Sequence, residues 1–522
     1  MDVSLRRLTA WHAALGVLVL LGLLLRLKGI HDPLLDHPGW RQGDTAAIAR
    51  NFATLDFNPL HPQADYDGPP PNYVELELQI VPFLAAILYK LFGIHAVFGR
   101  LISIAFSLTN VVVIGYFARR LFRSSVAGIT AAALFAVYPG SLYYGRTFTP
   151  DTAMVCLASA ALYASFSWIV DGAPSGRRGF WLAAGLATLA ILAKPVAAIV
   201  LVPIVAVALW KDGWHAALTR PAFWGFLAVA LAPYLAYDAY LRSIAEWHWA
   251  SGITAKHVLP ELFAAFGSPH AFANKFHQMN GALAMLHATM LGAIGFALLL
   301  VAIVVPVRTE ARVLLGSYLV ALLAYTYAIV TVERVDYYLY LWLPLAALCT
   351  GGLAGRIAEW LGPDNLWNRG VFALAGVLFA AIVLLSRAEI HAYYHFNPEV
   401  FAHARALDAK LPPGILIVMA HYDPSVLYYI DRKGWEEDPL LWTPFDEQSA
   451  IRKGARAFIS IEDARVRRNA DLCHWLQRFP LAPYGGTWPV YETDPAKIER
   501  GAEKKWHAFR KRELAGKARP CP

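Results

Sequence analysis

Hydrophobic residues run in long, nearly uncharged blocks through residues 1–386, separated by short polar turns, and then give way to a mixed pattern over 387–522. A block of roughly twenty apolar residues is the length of a helix that crosses a bilayer. Such blocks predict a first span inside MDVSLRRLTAWHAALGVLVLLGLLLRL and further spans at about 96–117, 126–144 and 152–170. Residues 180–210 are too many for one span, and Lys194-Pro195 interrupts them, because proline breaks the helical ladder and lysine resists hydrocarbon. Two short helices meeting at the outer face are expected there. Residues 222–241, 284–305, 313–331, 339–354 and 371–385 complete about eleven spans.

Charge orients these spans. Arg6 and Arg7 precede the first, the turns ARRLFRS, DGAPSGRRG, KDGWHAALTR and VRTEAR are basic, and Arg356 and Arg369 follow 339–354. Basic turns mark the cytoplasmic side. No small-residue cleavage site follows the first run, so it reads as a retained span rather than a signal peptide. The N terminus is then cytoplasmic, and an odd number of spans leaves everything after residue 386 outside the cytoplasmic membrane, in the periplasm or its equivalent.

Past residue 386 the pattern predicts a small α/β unit. LPPGILIVMAHYD reads as a buried strand, PSVLYYIDRKGW as a helix ended by Gly434, and RKGARAFISIED as a second strand, together a partial parallel sheet. The basic tail KIERGAEKKWHAFRKRELAGKARPCP reads as a solvated helix or disorder. The expected fold is an all-α polytopic membrane domain over 1–386 with a C-terminal extracytoplasmic α/β domain over 387–522.

Composition agrees with a membrane protein: 57% of residues are hydrophobic and only 16% charged. The net charge of +8 sits beside apolar blocks, where it reports topology and suits anionic lipid rather than nucleic acid. Of the four cysteines, Cys156 and Cys349 fall in apolar blocks, and Cys473 and Cys521 in the polar tail, where a disulfide is open to them if that tail is exported. Their spacing fits no zinc site.

The polar interruption between the first two long blocks, a loop over 28–95, holds Asp44, Asp65, Asp67, Glu75 and Glu77. Asp44 follows WRQG and precedes TAAIARNFATL, which places it at a helix N-cap, where most aspartates only cap. Glu77 stands before the juxtamembrane stretch IVPFLAAILYKLFG, with Glu75 two residues away, while Asp65 and Asp67 in PQADYDGPPP suit a turn. Asp151 follows Pro150 as a first-turn acid, with Arg146 on the same outer rim. Arg146 has the planar fork for a phosphate, or pairs with an acid. Lys194 must face a cavity or an anion. Arg334, Asp336 and Tyr337 in ERVDYYLYLWLP border the same side, and an ion pair closing their loop is the plainer reading. Trp247 and Trp249 suit an interfacial belt. His248, Lys256 and His257 are alternatives for a headgroup or sugar contact. No Walker loop, dinucleotide glycine pattern, HExxH or GxSxG is present, so the chemistry must draw on an already activated substrate.

In their order and sidedness these residues resemble the C-type glycosyltransferase superfamily, in the branch with protein mannosyltransferases and lipid A aminoarabinose transferases. The resemblance covers about residues 5–386 and rests on WRQGDTAAIARNF, ELQIVPFLAAILYKLFG, TFTPDTA, LAKPV and RVDYYLYLWLP. Where many relatives have Glu-Phe-Pro, this chain has Glu77-Leu78-Gln79, with proline delayed to Pro82. DPSVLYYIDRKGW also resembles outer domains of bacterial members. The resemblance implies inverting transfer of a sugar from a polyprenyl-phosphate donor, within the membrane lipid, to an acceptor hydroxyl on a lipid, glycan or protein at the outer face. Asp44 is then the general base, Lys194, Arg146 and Arg334 counter the lipid phosphate, and Asp151 and Glu77 orient them, with Asp336 and Tyr337 lining the substrate site. No metal and no cofactor beyond the lipid-linked sugar is expected. A glycan polymerase or ligase using a similar donor, and a secondary transporter with broken helices, are the rival readings.

Overall fold

A computed structural model describes residues 2–171, 176–305, 307–362, 366–519 and 521. Residues 172–175 of the expected basic turn, and the side chains of Arg6, Arg7 and Arg369, lie outside the described residues. The chain is a mostly helical, multi-pass membrane protein. All eleven expected segments are helical, and seven helices are long and apolar enough to cross a membrane, eight if a bent pair near residue 390 counts as one span. The four that miss that standard among the described residues are the first helix, Ser125–Val137, Gly176–Ala193 and the helix ending at Glu389.

The break at Lys194 is as expected. Gly176–Ala193 ends there, Lys194 is extended, and a 3-10 turn Pro195–Val200 leads into Leu201–Asp212. Asp151 begins the helix Asp151–Asp171, which at 1.5 Å per residue reaches about 30 Å, the thickness of a bilayer. Both residues therefore sit at one end of the bundle. The bundle core is a continuous apolar cluster running from Trp11 to Ile390.

Outside the bundle the loop 28–95 forms the largely buried helix Gly39–Thr54, a two-residue strand β1 (Val74–Glu75) and the helix Ile80–Phe92. β1 pairs in parallel with β2 (Trp247–His248) from the second outer loop. After residue 397 come β3 (Leu416–Met419), β4 (Lys433–Glu436), β5 (Ala455–Ile459) and β6 (Val490–Tyr491), in the order β4-β3-β5-β6 with only β6 antiparallel. Helices cover both faces. Ile417 and Met419 pack on one side with Val426 and Leu427, and Val418 and Phe458 on the other with Leu472 and Trp475.

One expectation is corrected here. The helix in PSVLYYIDRKGW spans only Pro424–Ile430 and ends in Asp431, which takes the left-handed conformation at φ 53°. Gly434 is instead inside β4, where a Cβ would lie 1.9 Å from the Ile417 carbonyl oxygen, so only glycine fits the strand pairing. The basic tail follows the solvated-helix reading: Ala502–Leu514 is a mostly exposed helix, tied down by Arg510 to Asp471 at 2.8 Å and by a disulfide between Cys473 and Cys521.

Candidate active site

Asp44 does not cap its helix. Pro38 holds the N-cap of Gly39–Thr54, its ring fixing the backbone for helix entry, so Asp44 falls in the second turn and its carboxylate turns inward, 1% exposed. The arginine one turn earlier meets it there. Arg41 Nη1 donates to Asp44 Oδ2 at 2.8 Å, and its Nη2 donates to Glu77 Oε1, so one guanidinium bridges both acids. The Tyr66 hydroxyl approaches Asp44 Oδ1 at 3.4 Å and its ring stacks on Trp249, centroids 4.9 Å apart.

Burial pushes the Asp44 carboxyl up to about 6, against the pull of Arg41 and with the help of nearby Glu77 and Asp65. Burial alone would lower Arg41, but Glu77 and Asp44 outweigh it and keep the guanidinium cationic. Glu77 and Glu75 diverge. Glu75 accepts from the Ser251 amide at 3.0 Å and lies 3.6 Å from Arg242, so it fastens the second outer loop. The Leu78 amide donates to the Leu192 carbonyl at 2.8 Å, which ties the segment after Glu77 to the helix break at Lys194. Gln79 occupies the N-cap of the juxtamembrane helix and its Nε2 donates to the Glu77 carbonyl at 2.9 Å.

Lys194 Nζ donates to Asp151 Oδ1 at 2.6 Å and lies 4.8 Å from the Tyr337 ring centroid and 4.6 Å from that of Tyr338. The other Asp151 oxygen is buried with no hydrogen-bond partner. Trp40, next to Arg41, reaches the Tyr337 ring at 6.3 Å, and Tyr337 and Asp151 both lie near enough to act on the Arg41 charge, so this pair and the Asp44 cluster are neighbours. Asp336, beside Tyr337 in sequence, accepts from Tyr144 at 2.5 Å and from Tyr393, with His37 Nε2 at 3.3 Å.

Two candidates stand apart. Arg146 is fully buried, paired with Asp36 together with Arg100, and Asp36 Oδ1 also accepts from Gln42 at 2.8 Å. That knot anchors the start of the loop helix. Arg334 is exposed, in the left-handed conformation, and its Nε donates to the Thr331 carbonyl at 3.2 Å. Sequence reasoning missed Arg41, His37 and Tyr66. Arg41 had a signal, an arginine three residues before an aspartate on one helical face; the other two reach the site only through tertiary packing. Trp249 stacks on Tyr66, whereas Trp247 is exposed and its indole donates to the Asp67 carbonyl at 2.9 Å. Among the described residues no three His, Cys, Asp or Glu side chains gather as a metal site.

This bundle, with its acidic loop and broken helix, has the fold of the C-type polytopic glycosyltransferases. Residues 79–237 match the family model described as dolichyl-phosphate-mannose-protein mannosyltransferase. Two crystal structures of ArnT from Cupriavidus metallidurans superpose over 94% of this chain and 99% of theirs: one bound to undecaprenyl phosphate, at TM-score 0.63 and 12% identity, and one in the apo state, at 0.58 and 14%. No curated protein gives a significant match.

Proposed function

We propose that this protein transfers a sugar from a polyprenyl-phosphate donor to an acceptor hydroxyl at the outer face of the cytoplasmic membrane, with inversion. The observation that carries the reading is the Asp44 carboxylate, held by Arg41, with the Lys194–Asp151 pair as its neighbour. The acceptor hydroxyl gives its proton to Asp44 as its oxygen attacks the anomeric carbon. The bond from that carbon to the phosphate oxygen breaks, and its electrons leave with the lipid phosphate. A base near pKa 6 is ionised at neutral pH yet basic enough to assist. Lys194 neutralises the departing phosphate, with exposed Arg334 as the second cation. Asp151 orients Lys194, Glu77 orients Arg41, and Asp336 holds Tyr144 and Tyr393 around the sugar beside Tyr337. We assign Arg146 to anchoring the loop through Asp36 rather than to the phosphate, since its guanidinium is fully buried. The undecaprenyl phosphate in the ArnT crystal structure supports a donor on that carrier.

We further place the membrane domain at 1–386 and an extracytoplasmic unit at 387–522, with the N terminus cytoplasmic. The disulfide between Cys473 and Cys521 supports an oxidising compartment for the latter. Transfer of labelled sugar from undecaprenyl-phosphate donors to membrane glycolipids, in wild type and Asp44→Asn at equal folded amounts, tests the reading. Loss of transfer with donor binding kept supports it. Undiminished transfer moves the base to Glu77 or Asp151, and a wild type that binds a small solute but transfers nothing from any donor makes the protein a transporter.

A further inference from the structure

The stretch DPSVLYYIDRKGW lies in the sheet unit, hundreds of residues from Asp44, and nothing in the reaction above uses it. Several of its polar groups nevertheless meet the loop that carries Asp44, while Arg432 turns back to Asp408 at 3.0 Å. Ser425 abuts the loop helix so closely that a Cβ on Gly43 would lie 2.3 Å from its Cα. The Tyr429 hydroxyl accepts from the Leu34 amide at 2.7 Å. Arg50 of the loop helix donates to the Tyr428 carbonyl at 3.0 Å and pairs with Asp431 at 2.5 Å. The loop also extends the sheet at its β4 edge: the Gly434 amide donates to the Asp65 carbonyl and the Gly68 amide to the Gly434 carbonyl, both at 2.9 Å.

Lys433 is the centre of this seam. Its Nζ donates to Asp65 Oδ1 and to Asn51 Oδ1, both at 2.6 Å, while Asn51 Nδ2 donates to the same Asp65 oxygen at 2.8 Å and Arg50 pairs with the other. Asn51 is two turns along the helix from Asp44, on the same side. Asp65 is buried and near enough to Asp44 to act on its charge.

We propose that Asp423–Trp435 is the second half of the active site, with Lys433 as the positioning residue: it neutralises Asp65 and fixes the loop helix so that the Asp44 carboxylate stays ionised and in register. This rests on Asp44 being the base. The charges facing Asp44 are Arg41 on its own helix, Glu77 after β1, Asp65 and Asp67 with Tyr66 on the proline-rich segment, and Glu436 on β4. Of these, Glu77 and Asp65 disfavour its ionised form, whereas burial pushes Asp67 up to about 7 and Glu436 up to about 10, so Glu436 is neutral at neutral pH. Deleting the Lys433 cation leaves Asp65 to Arg50, which Asp431 shares, so more of the Asp65 charge acts on Asp44.

The test uses the full chain in nanodiscs and the undecaprenyl-phosphate sugar that wild type accepts. Lys433→Met is expected to lower kcat about tenfold at pH 6.5 with donor KM within about twofold, and to move the acidic limb of kcat upward by roughly one pH unit, with Lys433→Arg restoring both. Hydrogen exchange of amides 39–54 should speed up in Lys433→Met while that of β3 and β5 stays as in wild type. If Lys433→Met does not fold, Lys433→Gln, uncharged but able to bond Asn51, is read the same way. Wild-type kcat, limb and exchange in a folded charge-deleted variant would overturn the proposal. An Asp44→Asn protein that still transfers would overturn the base assignment instead, so the two failures are distinguishable.

Discussion

At the scale of the residue, the site is built on a carboxylate that the fold holds at a disadvantage. The Asp44 carboxyl is raised from 3.8 to about 6 because it is buried among other acids. A raised acid binds its proton more tightly folded than unfolded, so stability falls as pH rises from 3.8 to about 6 and stays lower above it, by about 3 kcal/mol. Asp44→Asn, which carries no charge, should therefore unfold at a higher temperature than wild type at pH 8, the gain vanishing below pH 3.8. Melting curves at the two pH values check it, and an unchanged midpoint at pH 8 would contradict a strained carboxylate. Transfer by wild type should rise with pH through about 6. Arg41 is the counterweight. Arg41→Met leaves Asp44 and Glu77 buried with no shared cation, and a loss of about 3–5 kcal/mol in stability is expected. Arg41→Lys should recover only part of it, because an ammonium does not bridge two carboxylates as a planar fork does.

At the scale of the element, the contact between the loop helix and Pro424–Ile430 sets how closely the two halves approach. Gly43→Ala drives a methyl into the Ser425 backbone, and backbone cannot yield as a side chain does. The variant should lose about 1–3 kcal/mol and most of its transfer. A variant with wild-type stability and rate would mean that this approach is not needed. The same elements show what the chain reveals on its own. The Lys194 break, the first-turn Asp151, β3 and β5 were legible, because proline, long apolar blocks and buried β-branched runs act locally. Asp44 was misplaced at a cap because WRQG contains no local signal that the helix has already begun at Pro38. β4 was hidden for a different reason: Lys433 is polar because its ammonium meets Asp65 and Asn51 of the loop 28–95, so the strand lacks the alternation of a half-buried one. Arg146 looked like a phosphate ligand because the partner that buries it, Asp36, is 110 residues away in sequence.

At the scale of the whole molecule, the sheet unit has two faces with separate duties. The face of Ile417 and Met419 carries Pro424–Ile430 and meets the loop 28–95, whereas the face of Val418 and Phe458 carries Leu472, Cys473 and the disulfide-anchored tail. The disulfide spans 48 residues, and opening it should reduce the stability of the unit by about 4 kcal/mol on the chain-entropy estimate. Because it lies on the face away from the loop, Cys521→Ser should melt earlier yet keep transfer per folded molecule within about twofold of wild type. Equal loss of rate and stability would show that the two faces are coupled through the sheet. The bond also reports the side of the membrane. After mild reduction of intact cells, a membrane-impermeant maleimide should label Cys521 and spare the buried Cys473, Cys156 and Cys349. Labelling of the tail only after lysis would put the sheet unit, and with it Asp44 and the Lys194–Asp151 pair, on the cytoplasmic side. The donor would then have to be used before it is flipped across the bilayer.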